Sequence, residues 1–322
     1  MPELPEVETV RRGLEARVLG RCIIAAEVNH AQVIAGPVED FEQRVRGVIQ
    51  SLDRKGKAIA IGLAPGPTGP SSNGNSAHYL LVRLGMTGQV TVVPRDHPVE
   101  PHTHVRLQLE GGEEIRYRDI RRFGRLRYCT AEELDAVFSR LGPDAPSIGR
   151  ENFLEALKGR TTPIKNWLLN QGRLAGVGNI YADESLFAAR IHPLTEAGRL
   201  QRRAALALHR AIERVLRRAV ALQGTSLRDY IDIEGNPGRF AASLKVYQRT
   251  GERCRRCGTS IARIVIGGRS AHFCPRCQPR PRSRNKVAGN QPAAGSMQEA
   301  RHGGTATKAP RGKPLNTETP SH

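Results

Sequence analysis

The sequence contains no apolar run that approaches the roughly 20 residues needed to span a membrane as a helix. We also expect no secretory leader, because the first residues are acidic and no apolar stretch follows them. Acidic residues are scarce: 31 Asp and Glu stand against 50 Lys and Arg, a formal net charge of +19. These features exclude a membrane-spanning protein. They predict a cytoplasmic protein that binds a polyanion, with nucleic acid as the first candidate and a membrane surface as its rival.

Cysteine is also scarce, with six in 322 residues. Cys22 and Cys129 stand alone in apolar stretches and are predicted to be buried, unreactive thiols. The other four form two Cys-x2-Cys pairs, CRRC and CPRC. Such pairs in a reducing cytosol are typical of metal ligands, and four thiolates without an open position predict one structural zinc ion. The predicted ligands are Cys254, Cys257, Cys274 and Cys277.

Apolar patterning and composition divide the chain into five segments, which follow one another in order. They are a strand-rich segment with a leading helix (1–134), a linker (135–150), a helical segment (151–240), a cysteine module (244–278) and a basic tail (279–322). The tail has almost no large apolar side chains, so it cannot bury enough surface to fold and is predicted to be disordered. The glycine- and proline-rich stretch 64–76 is predicted to be a loop.

Residue spacing predicts several individual elements. Apolar residues three and four apart, with Pro5 in the first turn and Gly20 after the end, predict a helix over residues 5–20. The same periodicity, with arginines opposite the apolar face, predicts a long helix over residues 196–222. Gly-Gly pairs at 111–112 and 267–268 predict the turns of two β-hairpins. The second hairpin lies between the cysteine pairs and places Arg269 near its tip.

The first residues, PELPE, are suited to covalent chemistry. Removal of the initiator methionine would leave Pro2 with a free secondary amine. A chain-terminal amine has a pKa near ~8, against ~10.4 for lysine, so more of it is neutral and nucleophilic near pH 7. Its attack on an aldehyde-level carbon gives an iminium ion, an electron sink for elimination, and Glu3 and Glu6 are placed to handle protons. The same residues also suit an ordinary helix start, because acidic groups stabilise the helix dipole. Spacing alone does not separate the two interpretations.

A resemblance separates them. PELPEVETVRRGL is similar, nearly residue for residue, to the N-terminus of bacterial formamidopyrimidine-DNA glycosylases. Further family motifs follow in the family's order, and the resemblance covers about residues 1–278. They are LGMTG (84–88), DIRRFG (119–124), LGPDAP (141–146), GVGNIYADESLFAARIHP (176–193) and the four-cysteine finger.

The resemblance implies an α+β, multidomain fold: an N-terminal β-sandwich with a leading helix, a helix–two-turns–helix domain and a C-terminal zinc finger. It also implies a monomeric base-excision repair enzyme that acts on damaged double-stranded DNA at the nucleoid. Such an enzyme is a bifunctional DNA glycosylase and DNA lyase. It removes 8-oxoguanine and formamidopyrimidines and cleaves the abasic site by β,δ-elimination through a Schiff base on the N-terminal proline.

The family's catalytic roles are carried over residue by residue. Pro2 is similar to the Schiff-base nucleophile and Glu3 to the proton donor that assists base release. Lys57 matches the lysine linked to β-elimination, and Arg269 matches the finger arginine linked to δ-elimination.

The resemblance also implies a set of DNA-contacting residues. The family's contact positions are His102, Arg121 and Arg160, with Asn179 at a phosphate-binding turn, and the void left by an extruded base is filled by Met86, Arg121 and Phe123. Flipping a nucleotide costs a few kcal/mol, which apolar wedges and an arginine hydrogen bond to the orphaned base can offset. Two positions depart from the family pattern: Arg83 stands where many relatives carry histidine, and Arg160 where some carry lysine. These departures bear on the affinity for DNA rather than on the catalytic chemistry.

The sequence is compatible with two alternative functions. Endonuclease VIII shares the fold and the nucleophile but prefers oxidised pyrimidines, and its relatives typically begin PEGPE, so Leu4 argues against it. A non-catalytic zinc-ribbon DNA-binding protein would be expected to lack Pro2 or Glu3, and both are present. The loop over residues 224–239 is expected to close over the flipped base, but its sequence contains no motif that predicts which lesion is preferred.

Overall fold

The structure is a computed structural model that describes residues 2–64 and 77–280. Nearly all of the predicted loop 64–76, and the predicted tail from residue 281 onward, therefore lie outside the described residues. Within the described parts of the chain, no helix has both the length and the apolar character that crossing a membrane requires.

The N-terminal part consists of helix α1 followed by eight antiparallel strands. α1 covers Leu4–Val18, close to the predicted 5–20, and Gly20 just beyond its end has φ +80°. The strands are β1 (Cys22–Val28), β2 (Gly47–Lys55), β3 (Ala58–Ala64), β4 (His78–Arg83), β5 (Gly88–Pro94), β6 (Thr103–Leu109), β7 (Glu113–Asp119) and β8 (Arg125–Thr130). A short helix α2 (Val38–Arg44) precedes β2, and α3 (Ala131–Phe138) follows β8. α3 overlaps the start of the segment 135–150 that the sequence predicts as a linker.

The eight strands lie in the order β5-β7-β6-β1-β2-β3-β4-β8. Side chains from both ends of this sheet face a common core: Val90 and Ile115 from one end meet Leu80 and Leu126 from the other, with Leu14 of α1 beside them. The sheet therefore folds over itself in two layers, and the predicted sandwich with a leading helix is confirmed. Cys22 and Cys129 are buried, as predicted.

The helical part contains α4 (Arg150–Leu157), α5 (Ile164–Leu169), α6 (Asn179–Ala189) and α7 (Arg202–Ala221) around its own apolar core. The predicted start of the long helix at residue 196 is wrong, because α7 begins at Arg202. The preceding backbone pairs elsewhere: Ala197 N–H donates to the Thr162 carbonyl (3.0 Å), and Gly198 N–H donates to the Arg160 carbonyl (2.7 Å). These bonds hold the segment against the entry to α5, so it cannot form the first turn of α7.

The cysteine module contains a two-stranded hairpin, β9 (Ala262–Ile266) and β10 (Arg269–Phe273). The strands pair antiparallel with Arg269 opposite Ile266, so the turn falls at 267–268 as predicted. Both turn glycines have positive φ, +54° and +73°, a conformation that side chains with a Cβ rarely adopt. Arg269 is exposed directly after this turn.

Candidate active site

The carboxylate of Glu3 lies at the N-terminus of α6, which is far away in the sequence. Glu3 is 2% exposed and accepts N–H bonds from Gly178 (2.8 Å), Ile180 (2.9 Å) and Tyr181 (3.4 Å). The first turn of a helix presents free amides and a partial positive charge, which together favour a carboxylate. Glu3 thus fixes the first residues of the chain, and Pro2 with them, onto the helical part.

Glycines in the GVGN sequence make this contact possible. A Cβ on Gly178 would lie 2.3 Å from Cδ of Glu3, and a Cβ on Gly176 would lie 2.4 Å from Cδ1 of Leu4. Leu4 N–H donates to the Gly176 carbonyl at 3.1 Å. The resemblance links this turn to phosphate binding, but the Gly178 amide of the turn and the Ile180 and Tyr181 amides that follow it donate to Glu3. The glycines therefore serve the docking of the N-terminus.

Lys57 and Arg269 act electrostatically on the same site. Burial raises the pKa of Glu3, and the Lys57 ammonium and the three amide bonds oppose this rise. Burial lowers the pKa of Lys57, which the charges of Glu3 and Glu6 counteract while the charge of Arg269 lowers it further. A carboxyl whose pKa is raised keeps its proton to higher pH and can act as a general acid. The structure thus brings three of the four predicted catalytic side chains into electrostatic contact, beside Pro2.

The finger hairpin is docked onto α6 through a buried ion pair. Lys165 Nζ lies 2.6 Å from Asp183 Oδ1, and both side chains are at most 1% exposed. Asp183 Oδ2 accepts the N–H of His272 (2.9 Å), and Lys165 also donates to the Ser270 carbonyl. Asp183 belongs to the same helix that binds Glu3. α6 therefore contacts both Glu3 and the finger hairpin, and it fixes the position of Arg269 relative to Glu3.

The four predicted zinc ligands converge. Their Sγ atoms all lie within 4.8 Å of one another, with Cys254 and Cys277 4.0 Å apart and Cys257 and Cys274 3.4 Å apart. Zinc–sulfur bonds of about 2.3 Å in tetrahedral geometry require S···S separations of about 3.8 Å, so the thiol set fits one zinc ion. The N–H of Arg256 and of Cys277 each donate to a ligand sulfur at 3.4 Å, which orients the thiolates.

We expect metal analysis to give one zinc per chain. The zinc is structural, because four thiolates leave no coordination position open for water or a substrate. Removing the metal with a chelator should release the hairpin and weaken DNA binding, because Arg269 loses its fixed position. Cys129→Ala serves as the matched control: this thiol lies in a separate apolar cluster, and the variant should retain its zinc. Metal-free protein with unchanged DNA affinity contradicts this assignment.

Known proteins match the described parts of the chain. Family models match the formamidopyrimidine-DNA glycosylase N-terminal domain over residues 1–126, the formamidopyrimidine-DNA glycosylase H2TH domain over residues 141–230 and a zinc finger found in FPG and IleRS over residues 251–280. A formamidopyrimidine-DNA glycosylase from Herpetosiphon aurantiacus is 42% identical over 283 residues, which cover 86% of this chain and 100% of the relative. The chain belongs to the formamidopyrimidine-DNA glycosylase family.

Solved complexes with DNA are similar to this glycosylase as well. A variant of the Lactococcus lactis enzyme bound to a Fapy-dG containing DNA has a TM-score of 0.79 at 34% identity, covering 87% of this chain and 100% of that one. The wild-type Lactococcus lactis enzyme bound to an oxidized pyrimidine containing DNA has a TM-score of 0.77 at 34% identity, with the same coverage. The protein is thus a DNA glycosylase of base-excision repair.

A second cluster of predicted residues is organised by Asp119, which the sequence did not single out. Asp119 is fully buried at the end of β7. Its Oδ1 accepts from the Thr87 hydroxyl and from Arg121 N–H (3.3 Å), and its Oδ2 accepts from the Tyr117 hydroxyl (3.0 Å) and Gly124 N–H (2.8 Å). One carboxylate therefore ties the LGMTG turn to the DIRRFG turn.

These two turns carry the predicted void-filling side chains. Met86 precedes Thr87 and is partly buried, whereas Phe123 is 55% exposed. The Arg121 guanidinium lies 4.6 Å from the centre of the Phe123 ring. His102 joins the cluster through its backbone, because its carbonyl accepts Asp119 N–H at 3.1 Å. The structure thus brings these four predicted residues together on one surface.

We expect Asp119→Asn to lower kcat/KM on lesion-containing duplex about tenfold or more. An amide keeps one good acceptor and turns an N–H₂ group toward buried donors, which leaves polar groups unsatisfied. Fluorescence of 2-aminopurine placed next to the lesion should show slower nucleotide extrusion. Asp96→Asn, in an exposed turn, is the control and should behave as the wild type. Wild-type extrusion kinetics in Asp119→Asn would show that the two turns hold their shape without the carboxylate.

The other two predicted DNA-contact residues, Asn179 and Arg160, belong to the helical part. Asn179 is the first residue of α6, between the amides that bind Glu3, and its buried Oδ1 has no hydrogen-bond partner among the described residues. Arg160 is exposed, and its backbone pairs with Gly198. Asn179 therefore lies beside Glu3, whereas no hydrogen bond or ion pair within the described parts of the chain links the Arg160 side chain to it.

Glu6 is more central than the sequence indicated. Its Oε2 accepts Glu3 N–H (2.7 Å), and its Oε1 accepts Thr225 N–H (2.7 Å) and the Tyr181 hydroxyl. Burial and the neighbouring charge of Glu3 raise the pKa of Glu6 to about 7. Glu6 thus connects α1, α6 and the loop over residues 224–239. The PELPE pattern marked Glu6 as a proton-handling residue, but nothing in the sequence marked Tyr181 or Thr225 as its partners.

Proposed function

We propose that this enzyme removes oxidised purines, 8-oxoguanine and formamidopyrimidines, from duplex DNA and cleaves the resulting abasic site by β,δ-elimination. The observation that carries the proposal is the position of Glu3. A buried carboxyl with a raised pKa is held by three amides directly beside Pro2, whose secondary amine is free once the initiator methionine is removed. A nucleophile next to a fixed proton donor is what glycosidic bond cleavage through a covalent intermediate requires.

The first stage forms the Schiff base. The lone pair of the Pro2 nitrogen forms a bond to C1′ of the sugar, while the bond from C1′ to the damaged base breaks and the base leaves with that electron pair. The nitrogen then loses its proton, and the C1′–O4′ bond breaks as the nitrogen lone pair forms the iminium double bond. Glu3 donates its proton to the departing base, and O4′ takes up a proton from water as the ring opens. Base release therefore depends on a protonated Glu3.

The second stage is elimination from the iminium ion. Loss of a proton from C2′ lets the C3′–O bond break, and the 3′ phosphate leaves with that electron pair. A further proton loss expels the 5′ phosphate in the same way, and water then hydrolyses the iminium and frees Pro2. We assign assistance of the first elimination to Lys57 and of the second to Arg269. The electrostatic coupling of Lys57 to Glu3, Glu6 and Arg269 supports this assignment.

Recognition of the lesion rests on the cluster around Asp119. Met86, Arg121 and Phe123 would fill the space that the flipped nucleotide leaves, while His102, Arg160 and Asn179 contact the DNA backbone. The buried Asn179 Oδ1, which has no hydrogen-bond partner within residues 2–64 and 77–280, supports a polar ligand at the start of α6. The enzyme acts as a monomer on damaged double-stranded DNA, with one structural zinc. Its substrate is chromosomal DNA, which places it at the nucleoid in the cytoplasm.

A strand-nicking assay tests the proposal. Matched duplexes carry 8-oxoguanine, a formamidopyrimidine, an oxidised pyrimidine or no lesion at one position. We expect fast nicking of the two purine lesions, with phosphate left on both new ends as β,δ-elimination requires. The oxidised pyrimidine is included because a family member has been solved on such DNA. Preferential cleavage at the pyrimidine would favour the endonuclease VIII-like alternative, and binding without cleavage would favour a non-catalytic DNA-binding protein.

A further inference from the structure

A cavity of about 400 Å³ lies at the far end of α6, among α6, α7, the segment 240–245 and the first cysteine turn of the finger. Its apolar lining comes from Phe187 and Ala188 of α6, Val215 of α7 and Phe240. Cavities of this size accommodate a large side chain or a small ligand. We refer to it as the α6–α7 cavity.

Arginines surround the opening of the α6–α7 cavity. Arg214 and Arg218 come from α7, and Arg255 and Arg256 come from the cysteine turn; all four are exposed. Arg256 lies 4.3 Å above the Phe187 ring. Among the described residues, three of these side chains donate, each to a neutral acceptor: Arg218 to the Ser243 hydroxyl, Arg255 to the Ala242 carbonyl and Arg256 to the Phe187 carbonyl. None of the four forms an ion pair with any residue of 2–64 or 77–280.

Within the described parts of the chain, the four arginines at the cavity lack acidic partners, in contrast to two partly buried arginines of the N-terminal part. Arg54 is paired with Glu8 and Asp144, and Arg106 with Glu27 and Glu114. The α6–α7 cavity is therefore a concentration of positive charge that the described residues leave uncompensated.

One acidic residue does line the cavity, but it does not neutralise the arginines. The Glu184 carboxylate is buried and accepts N–H bonds from Lys245 (3.0 Å), Val246 (2.9 Å) and Tyr247 (3.0 Å). These bonds use its acceptor capacity to hold the chain that leads into the finger. Lys245 adds a further cation to the lining.

The α6–α7 cavity is separate from the proposed DNA-binding site. Asn179 begins α6, and Phe187 lies eight residues further along, which corresponds to about 12 Å of helix. Arg269 is at the tip of the finger hairpin, whereas Arg255 and Arg256 lie in the cysteine turn beyond the other end of that hairpin. DNA that contacts the first turn of α6 and the finger tip therefore does not account for this cavity.

We propose that the α6–α7 cavity binds an acidic segment of a partner protein, with one large apolar side chain inserted among Phe187, Val215 and Phe240. Acidic groups flanking that side chain pair with the arginines. Duplex DNA would pair with the arginines, but its phosphates would make no favourable contact with the apolar side chains inside the cavity. The chain's own residues 279–322 carry eight Lys and Arg against two Glu, and a second copy carries a net charge of +19, so both are repelled. An acidic, partly apolar segment is complementary to both features.

The test uses full-length, zinc-loaded protein and a short fluorescent peptide in which aspartates and glutamates flank a single phenylalanine. Fluorescence anisotropy measures its Kd, and nicking of lesion-containing duplex is measured on the same samples. The double variant Arg218→Glu/Arg255→Glu reverses two exposed charges at the opening of the cavity. Arg203→Glu reverses an exposed charge on α7 outside the cavity and is the matched control.

We expect saturable binding that the double variant weakens at least about tenfold, with Arg203→Glu having little effect. Replacing the phenylalanine of the peptide by alanine should weaken binding about tenfold as well. Nicking and duplex affinity should be unchanged in every variant. The proposal fails if the wild type shows no saturable binding, or if the control variant loses as much affinity as the double variant. It also fails if the double variant loses duplex affinity, since DNA would then be the occupant.

Discussion

The Glu3→Gln variant should lose about 10²–10⁴-fold in release of 8-oxoguanine, which is the usual cost of removing a positioned general acid. The same variant should still nick a preformed abasic site. Base release requires the Glu3 proton, which glutamine cannot supply. A ring-opened abasic aldehyde has already lost its base and its ring, so Pro2 can attack it directly while Lys57 and Arg269 assist elimination.

Borohydride trapping provides the decisive measurement for this variant. Reduction of the iminium ion fixes the protein covalently to abasic DNA, and we expect Glu3→Gln to be trapped there as efficiently as the wild type. Glu15→Gln, an exposed position on the same helix, is the control and should retain both activities. Equal losses of excision and of abasic nicking, in a folded protein that still binds DNA, would mean that Glu3 serves the nucleophile rather than the leaving base.

The pH dependence of the wild type has a definite sign. Glu3 must be protonated for base release, and burial raises its pKa above the ordinary value of 4.5. The excision rate at high pH should therefore fall as Glu3 ionises, while at low pH it falls because the Pro2 amine is protonated. Glu3→Gln should abolish the first effect and leave abasic nicking governed by the amine alone. Single-turnover rates on the two substrates measure this difference.

Blocking the Pro2 amine should abolish excision, abasic nicking and borohydride trapping together. A retained methionine or an N-terminal tag converts the amine into an amide, whose lone pair is delocalised into the peptide bond and is not nucleophilic. The block also adds bulk at a residue that is buried directly before Glu3. The expected loss is complete, and thus larger than that of any side-chain substitution considered above.

A tag at the other end of the chain is the matched control for this block. The C-terminally tagged protein should keep all three activities, and proteolytic removal of an N-terminal tag that exposes Pro2 should restore them. Covalent trapping of the N-terminally blocked protein would show that a lysine, of which Lys57 is the nearest candidate, forms the Schiff base instead.

Local signals accounted for much of the fold. The Cys-x2-Cys pairs, the Gly-Gly turns at 111–112 and 267–268, and the proline and glycine that flank α1 are short-range features whose geometry depends on neighbouring residues. The sandwich, the zinc set and the family followed from them and from the motifs. The start of α7 did not, because residues 197–198 satisfy their backbone bonds against the entry to α5. Helical periodicity contains no information about such a distant partner.

The site divides in the same way. Motifs marked Pro2, Glu3, Lys57 and Arg269, because the chemistry requires those residue types at those positions. They did not reveal that Glu3 is held by the first turn of α6, nor that Asp119 fixes the two turns that carry the predicted void-filling side chains. Each of these contacts joins residues brought together only by the packing of separate elements, and a carboxylate that accepts several distant donors has no periodic signature.

The charges of the protein show most clearly which properties follow from the sequence and which depend on the tertiary structure. The sequence by itself determined that the protein carries a surplus of 19 positive charges and therefore binds a polyanion. Only the tertiary structure decided which of those charges are compensated. Arg54 meets two carboxylates, whereas Arg218 and Arg255 meet none among the described residues. Ion pairing depends on distances of a few ångström between side chains that are far apart in the chain, and those distances are set by how the helices and the finger pack.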